Sequence, residues 1–217
     1  MSHDSHDLFE NRKQFQIERL ILFSDAVFAI AITLLIIEIK VPELEGKETL
    51  LESFNRNHTY NGFLGLALSF AIIGQFWTNH HRLFGYVNNY TIRLLWLNLH
   101  MLFWIVLMPF SSALVSKYFS LDSVWMLYSI NLFMIGLSLY FLWCYITNPK
   151  RNISHIVHDP INAKMSRVRS ITVAIIFLSG FLLCLFDWYP TSLIARYVFL
   201  LIFPAMYLIK RIYRPKK

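Results

Sequence analysis

Six stretches of about 20 mostly apolar residues dominate this sequence, near 20–41, 61–84, 93–115, 122–147, 170–188 and 192–211. A helix needs roughly 20 such residues to cross the hydrocarbon core of a bilayer. In that solvent every backbone polar group must be satisfied internally, and a helix does this within each span. Charged residues make up 15% of the chain, against roughly 25% in a soluble domain. The expected fold class is an all-α integral membrane protein: one domain over residues 1–217, six transmembrane helices, no room for a soluble domain. The first apolar stretch is too long for a signal-peptide core, and Val41, Pro42 and Glu43 follow it where small residues would mark cleavage.

The net charge of +7 does not point to nucleic acid, because its placement follows the spans. Lysines and arginines gather before the first span, between the second and third, between the fourth and fifth, and after the sixth. Only Lys40, Lys47, Arg56, Lys117 and Arg196 of the 20 fall on the other side. By the positive-inside bias both termini are expected in the cytoplasm, with residues 1–18 a polar lead-in and 212–217 a basic tail against lipid headgroups. The outer side is acidic: Glu43, Glu45, Glu48 and Glu52 share the loop from Pro42 to Tyr60, where a short amphipathic helix is expected. Shorter outer links are expected at Ser116–Leu121 and Trp188–Thr191. Pro149 and Pro160 work against a continuous helix in the cytoplasmic loop Pro149–Arg169. Trp125, Tyr128, Trp188, Tyr189 and Tyr213 sit near span ends as an interfacial belt. Cys144 and Cys184 both fall inside spans and read as small buried hydrophobes.

The first span carries the chemistry. Asp25 lies about a turn and a half beyond Arg19, inside the apolar run, and an ionisable group in a span is expensive enough to suggest function. At about 100° per residue, Phe23, Ile30, Thr33, Leu34 and Ile37 form one stripe and Asp25 faces the opposite way. If the stripe faces a symmetry axis, an ion meets rings of Ile30, Thr33, Leu34 and Ile37 while Asp25 faces the protomer's own bundle. Ordinary packing or lipid contact is the plain alternative for such a stripe. Partners for Asp25 are available by depth: Trp77 and His81 near the end of the second span, and Asn98 one turn into the third. With Arg19 they can form one cytoplasmic-side layer of hydrogen bonds, as buried polar groups require. His80 is expected to point to headgroups or water. His100 lies deeper, Pro109 bends or loosens the third span, and Gly62 with Gly65 allows a close helix approach. No histidine has metal-ligand spacing backed by acids or cysteines.

Arg19-x3-Phe23-Ser24-Asp25 leading into an Ile/Leu/Thr-rich helix resembles the signature of the transmembrane protein 175 potassium channels. Trp77-x3-His81, Asn98 and Leu-Met-Pro109-Phe110 are similar to the prokaryotic members, and the likeness spans essentially the whole chain. The resemblance implies a potassium-permeable cation channel without a re-entrant filter loop, its pore lined by first helices. By motif offset Ile30, Leu34 and Ile37 are implied at apolar constrictions, with Thr33 offering a hydroxyl to a partly dehydrated ion. Arg19, Phe23, Ser24, Asp25, Trp77, His81 and Asn98 are implied in the polar network behind the pore. Animal relatives carry two six-span repeats and dimerise, so one repeat implies a homotetramer. A multi-pass prokaryotic plasma-membrane protein follows, partnered by itself and lipid, with potassium as permeant ion, no cofactor, no nucleic acid and no enzymatic role. The rivals are a proton-coupled cation transporter relaying through Asp25 and His81, and a haem-binding redox protein or membrane enzyme using His81 and His100. Against the last, His81 and His100 lie at different depths, and no hydrolase or haem-attachment motif occurs.

Overall fold

The computed structural model describes residues 2–39, 41, 44, 46, 48–56, 59–186 and 194–213. The side chains of 2–11, Glu38 and Asn61 lie outside that description. So do Lys40, Pro42, Glu43, Glu45 and Lys47 of the first outer loop, the Trp188–Thr191 link and the tail beyond 213.

All regular elements among the described residues are helical. α1 runs Ser2–Leu34 and tightens into a 3-10 turn at Leu35–Glu38; α2 (Leu50–Arg56) and α3 (Thr59–Phe84) follow. Then come α4 (Ile92–Val106), α5 (Met108–Lys117), α6 (Asp122–Ile146), α7 (Pro160–Cys184) and α8 (Ile202–Ile212). Among the described residues, five segments are long and apolar enough to cross a bilayer: Arg12–Ile37, Gly62–Phe84, Ile92–Lys117, Asp122–Ile146 and Pro160–Cys184. α1 absorbs the polar lead-in without a break.

Local chemistry explains the boundaries. α2 is the helix expected in the first outer loop, and a capping box opens it. The Thr49 N–H donates to Glu52 Oε2 at 2.7 Å and the Thr49 hydroxyl to the same oxygen at 2.8 Å. The third span is broken between α4 and α5 at Leu107, because Pro109 in the first turn of α5 has no N–H to continue the ladder. Pro160, expected to interrupt a helix, instead begins one: it stands at the first position of α7, where its missing N–H is no loss. Asp159 caps that turn by accepting from the Asn162 N–H at 3.1 Å. The fifth span therefore starts well before the expected residue 170. The sixth stretch is divided into a helical turn at 194–197, a 3-10 turn Val198–Leu201 and the short α8. Pro204, unable to donate to the carbonyl one turn earlier, explains the irregular entry into α8.

The core is centred on α6, with Leu132, Ile135, Leu142, Trp143 and Ile146 buried among Leu94, Met101 and Ile105 of α4. The tightest seam is α6 on α7. A Cβ on Gly136 would stand 3.2 Å from the Ala174 backbone, closer than side chains ordinarily pack, so a larger residue would press the two helices apart. Gly62 and Gly65 were expected to serve that purpose, but a Cβ there would meet only ordinary contacts at 3.8 and 3.9 Å. At the end where α3 stops, Val87 pairs with Ser154 in an isolated antiparallel bridge. The Asn88 and Asn89 N–H groups both donate to the Ile153 carbonyl, at 2.8 and 3.1 Å, and His155 N–H to Tyr86 O at 3.2 Å.

Candidate functional site

α1 has two unlike faces. Ile17, Leu20, Ser24, Phe28, Ala31 and Leu35 are buried against the bundle at helical spacing. Phe23, Ile30, Thr33, Leu34 and Ile37 lie on the opposite, exposed face, with Ile30 58% and Ile37 69% accessible. Asp25 sits at the border between the two. The Thr33 hydroxyl donates to the Ile30 carbonyl at 2.9 Å, which leaves its lone pairs turned along the exposed face.

Behind that face a chain of hydrogen bonds joins three helices. The Ser24 hydroxyl donates to the Leu20 carbonyl at 2.8 Å. Having spent its proton, Ser24 Oγ accepts from Asn98 Nδ2, also at 2.8 Å. That fixes the Asn98 amide, so its Oδ1 must accept from His80 Nε2 at 2.7 Å, and the imidazole proton on this side sits on Nε2. Ser24, His80 and Asn98 are all almost fully buried. The His80 ring is also held between Phe28 and Phe84, at 5.4 and 4.6 Å between centroids.

A second, outer column runs beside it. The Trp77 indole N–H donates to Asp25 Oδ1 at 2.9 Å. Trp77 in turn stacks on His81, 5.5 Å apart and tilted by 31°. His81 is exposed, so the expected positions of the two histidines are exchanged: His80 enters the buried layer and His81 faces outward. The cause is register on α3. Ser69, Ile73, Phe76, His80 and Leu83 form its buried face, and Trp77 with His81 form the adjacent one. That 3.6-residue spacing was readable and would have placed His80 inside. Arg19 is exposed, with its guanidinium over the Phe15 ring at 5.8 Å, and the structure does not bring it to Asp25.

His100, the other histidine within a span, has local partners. Ser138 Oγ donates to the Met134 carbonyl at 2.6 Å and so accepts from His100 Nδ1 at 2.8 Å, while Trp104 Nε1 donates to His100 Nε2 at 3.4 Å. Among the described residues no group of histidines, cysteines and acids could hold a metal ion. A seam the sequence did not signal joins α3, α5 and α6. Ser69 bonds Ser112 at 2.7 Å, and Asn131 Nδ2 donates to Ser111 Oγ at 3.0 Å.

A family model described as the endosomal/lysosomal potassium channel TMEM175 matches residues 19–109, the segment that holds both columns. A potassium channel of Streptomyces collinus is 32% identical over 161 residues, 72% of this chain and 75% of its own length. The chain belongs to the TMEM175 family of potassium channels. A potassium channel of a Chryseobacterium species is 38% identical over 121 residues, 55% of this chain and 59% of that one. The fold agrees with a crystal structure of a lysosomal potassium-selective channel TMEM175 homologue from Chamaesiphon minutus. There the TM-score is 0.72 at 26% identity, covering 89% of this chain and 98% of the other. A point variant of the potassium channel MtTMEM175, crystallised in complex with a nanobody fusion protein, shares the fold at a TM-score of 0.67 and 18% identity, covering 91% of this chain and 94% of that one. For a TMEM175 protein, the features of interest are thus the exposed α1 stripe and the bonds that hold α1 at a fixed rotation.

Proposed function

We propose that this chain assembles as a homotetrameric, potassium-permeable channel of the prokaryotic plasma membrane, with both termini in the cytoplasm and four copies of α1 around the pore. Ile30, Leu34 and Ile37 then form stacked apolar rings, and the Thr33 hydroxyl stands where an ion sheds part of its water. The observation that carries this reading is the rotation of α1. The apolar face carrying Ile30, Leu34 and Ile37 is left uncovered by the protomer, while Ser24, Asn98, His80, Trp77 and Asp25 bond another side of the helix to α3 and α4. A ring of branched side chains with no compensating polar groups can close a pore by expelling water and can discriminate among hydrated cations.

Asp25 has a positioning role in this scheme. Its carboxylate accepts from Trp77, behind the stripe and not on it, so ions do not meet a ring of carboxylates. The deciding experiment is potassium flux into liposomes holding the purified protein, run in parallel with sodium and with an imposed pH gradient. Fast flux that does not saturate and needs no pH gradient is the expected result. Flux that saturates and collapses with the pH gradient would overturn the channel reading in favour of proton-coupled transport.

A further inference from the structure

Away from α1, a cavity of about 540 Å³ opens between α3, α6, α7 and the last helical segment, and nothing in the proposed conduction mechanism uses it. Its lining is graded. On α3 the residues facing it are Leu68, Ile72, Gln75, Asn79 and Arg82, apolar at one end and cationic at the other. On α7 the same order runs from Arg169 and Ser170 to Val173 and Phe177, so both arginines stand at one end of the cavity. From Arg82 to Leu68 is about 21 Å along the helix axis at 1.5 Å per residue, more than half the thickness of a hydrocarbon core. A small void of about 20 Å³ adjoins the Leu68 end, sharing Leu68, Ile72, Phe177 and Phe199 and bordered also by Arg196. The mouth is marked by Phe203, 72% exposed.

The cationic end is short of partners. Arg82 and Arg169 repel each other across it. Among the described residues no Asp or Glu lines the cavity and neither arginine joins a salt bridge. Both Nε atoms are buried without a hydrogen-bond acceptor. Arg82 reaches only Asn79 Oδ1, from Nη2 at 3.2 Å, and lies over the Trp143 ring at 5.8 Å. Two like charges with orphaned donors beside a long apolar trough are mismatched to water and to hydrocarbon alike. They match an anion attached to a hydrocarbon chain.

We propose that this cavity is a binding site for an anionic phospholipid. Arg82 and Arg169 hold the phosphate through charge-assisted hydrogen bonds, with Asn79 and Ser170 at its edge. One acyl chain lies along Ile72, Val173 and Phe177 toward Leu68. The arginine end corresponds to the lysine- and arginine-rich side of the membrane, so the lipid belongs to the cytoplasmic leaflet, the one whose anionic headgroups attract basic residues.

The test is a thermal-unfolding titration of the purified protein in zwitterionic detergent, with phosphatidylglycerol, phosphatidylcholine or inorganic phosphate as added probe. Phosphatidylglycerol is expected to stabilise the protein, with phosphatidylcholine and free phosphate giving much less. Arg169→Gln should weaken phosphatidylglycerol binding roughly tenfold, the equivalent of one charge-assisted bond, and Arg82→Gln should do the same if it folds. Equal stabilisation by the two lipids overturns the proposal, as does an effect that free phosphate reproduces. Retention of the full preference in Arg169→Gln also overturns it. A change of oligomeric state in Arg169→Gln without lipid would assign the cavity to a neighbouring subunit instead.

Discussion

The membrane spans of α1 and α6 are of nearly equal length and have opposite fates. The span of α1 has a mean hydropathy of 2.7 with 28% of its most apolar window buried; that of α6 has 1.6 with 61% buried. The more apolar helix is the less covered one. In water this would be a contradiction, but lipid tails are as apolar as leucine, so burial inside a membrane protein follows packing and hydrogen bonding and not hydropathy. α6 is central because Gly136 and Ser138 let neighbours close in and bond. α1 is peripheral to its own protomer because the side that packs and bonds, Ser24, Phe28 and Ala31 among it, is a single stripe, while Ala26, Ala29 and Thr33 are left exposed with the rest. The uncovered side is left for something else.

The sharpest break of this comparison is one truncation made twice. Leu142→Ala, at a fully buried site on α6, should destabilise by about 2 kcal/mol, the low end of the core range because lipid removes part of the transfer term. Ile37→Ala, on the exposed end of α1, should change the protomer's stability by less than about 0.5 kcal/mol while altering the potassium-to-sodium flux ratio. Denaturant or thermal unfolding in detergent reads the first quantity and liposome flux the second. Unchanged ion preference in both Ile37→Ala and Leu34→Ala would remove the stripe from the conduction path.

Asn98→Ala sharpens the same contrast from the buried side. It strips the partner from both Ser24 and His80, and an orphaned buried polar group costs about 1–3 kcal/mol. The expected outcome is a loss of roughly 1–2 kcal/mol in unfolding free energy, together with altered flux, since α1 loses the bond that sets its rotation. Normal flux through a destabilised protein would separate the network from the pore.

The smallest effect is expected outside both helices, at the entry to α7. The backbone N–H and side-chain amide of Asn162 hold the Asp159 carboxyl below its ordinary value. A depressed folded pKa contributes stability above the unfolded value of about 3.8, and that contribution is lost as pH falls through the lowered value. Asp159→Asn should flatten this acid limb in melts recorded from about pH 6 downward, with a small loss of stability near neutral pH that vanishes in acid. An identical acid limb in the variant would deny the cap any part in it.

Much of the fold was legible because span length and the Arg19–Asp25 motif are local signals. The α1 stripe followed from helical angle alone, and the exposed face carries the same residues. What escaped the sequence depended on partners distant along the chain. His80 and His81 differ by one helical step, and although the spacing of Ser69, Ile73, Phe76 and Leu83 puts His80 inside, its partners Phe28 and Asn98 lie on other helices that the sequence does not place beside it. Gly136 looks no different from Gly65 until Ala174 is beside it. The sixth stretch reads as one apolar run, yet Pro204 acts on the turn before it. Arg19 was expected in the polar layer because depth matched, but depth without direction places no side chain.

The bridge between Val87 and Ser154 also has a consequence for the order in which the protein is built. The Asn88 and Asn89 N–H groups find their acceptor only at Ile153, on the far side of α4, α5 and α6. A ribosome delivers that acceptor seconds after the donors, at ~5–20 residues per second. The turn after α3 is therefore made before its acceptor exists, and synthesis of residues 153–155 supplies the latch that joins it to the segment following α6.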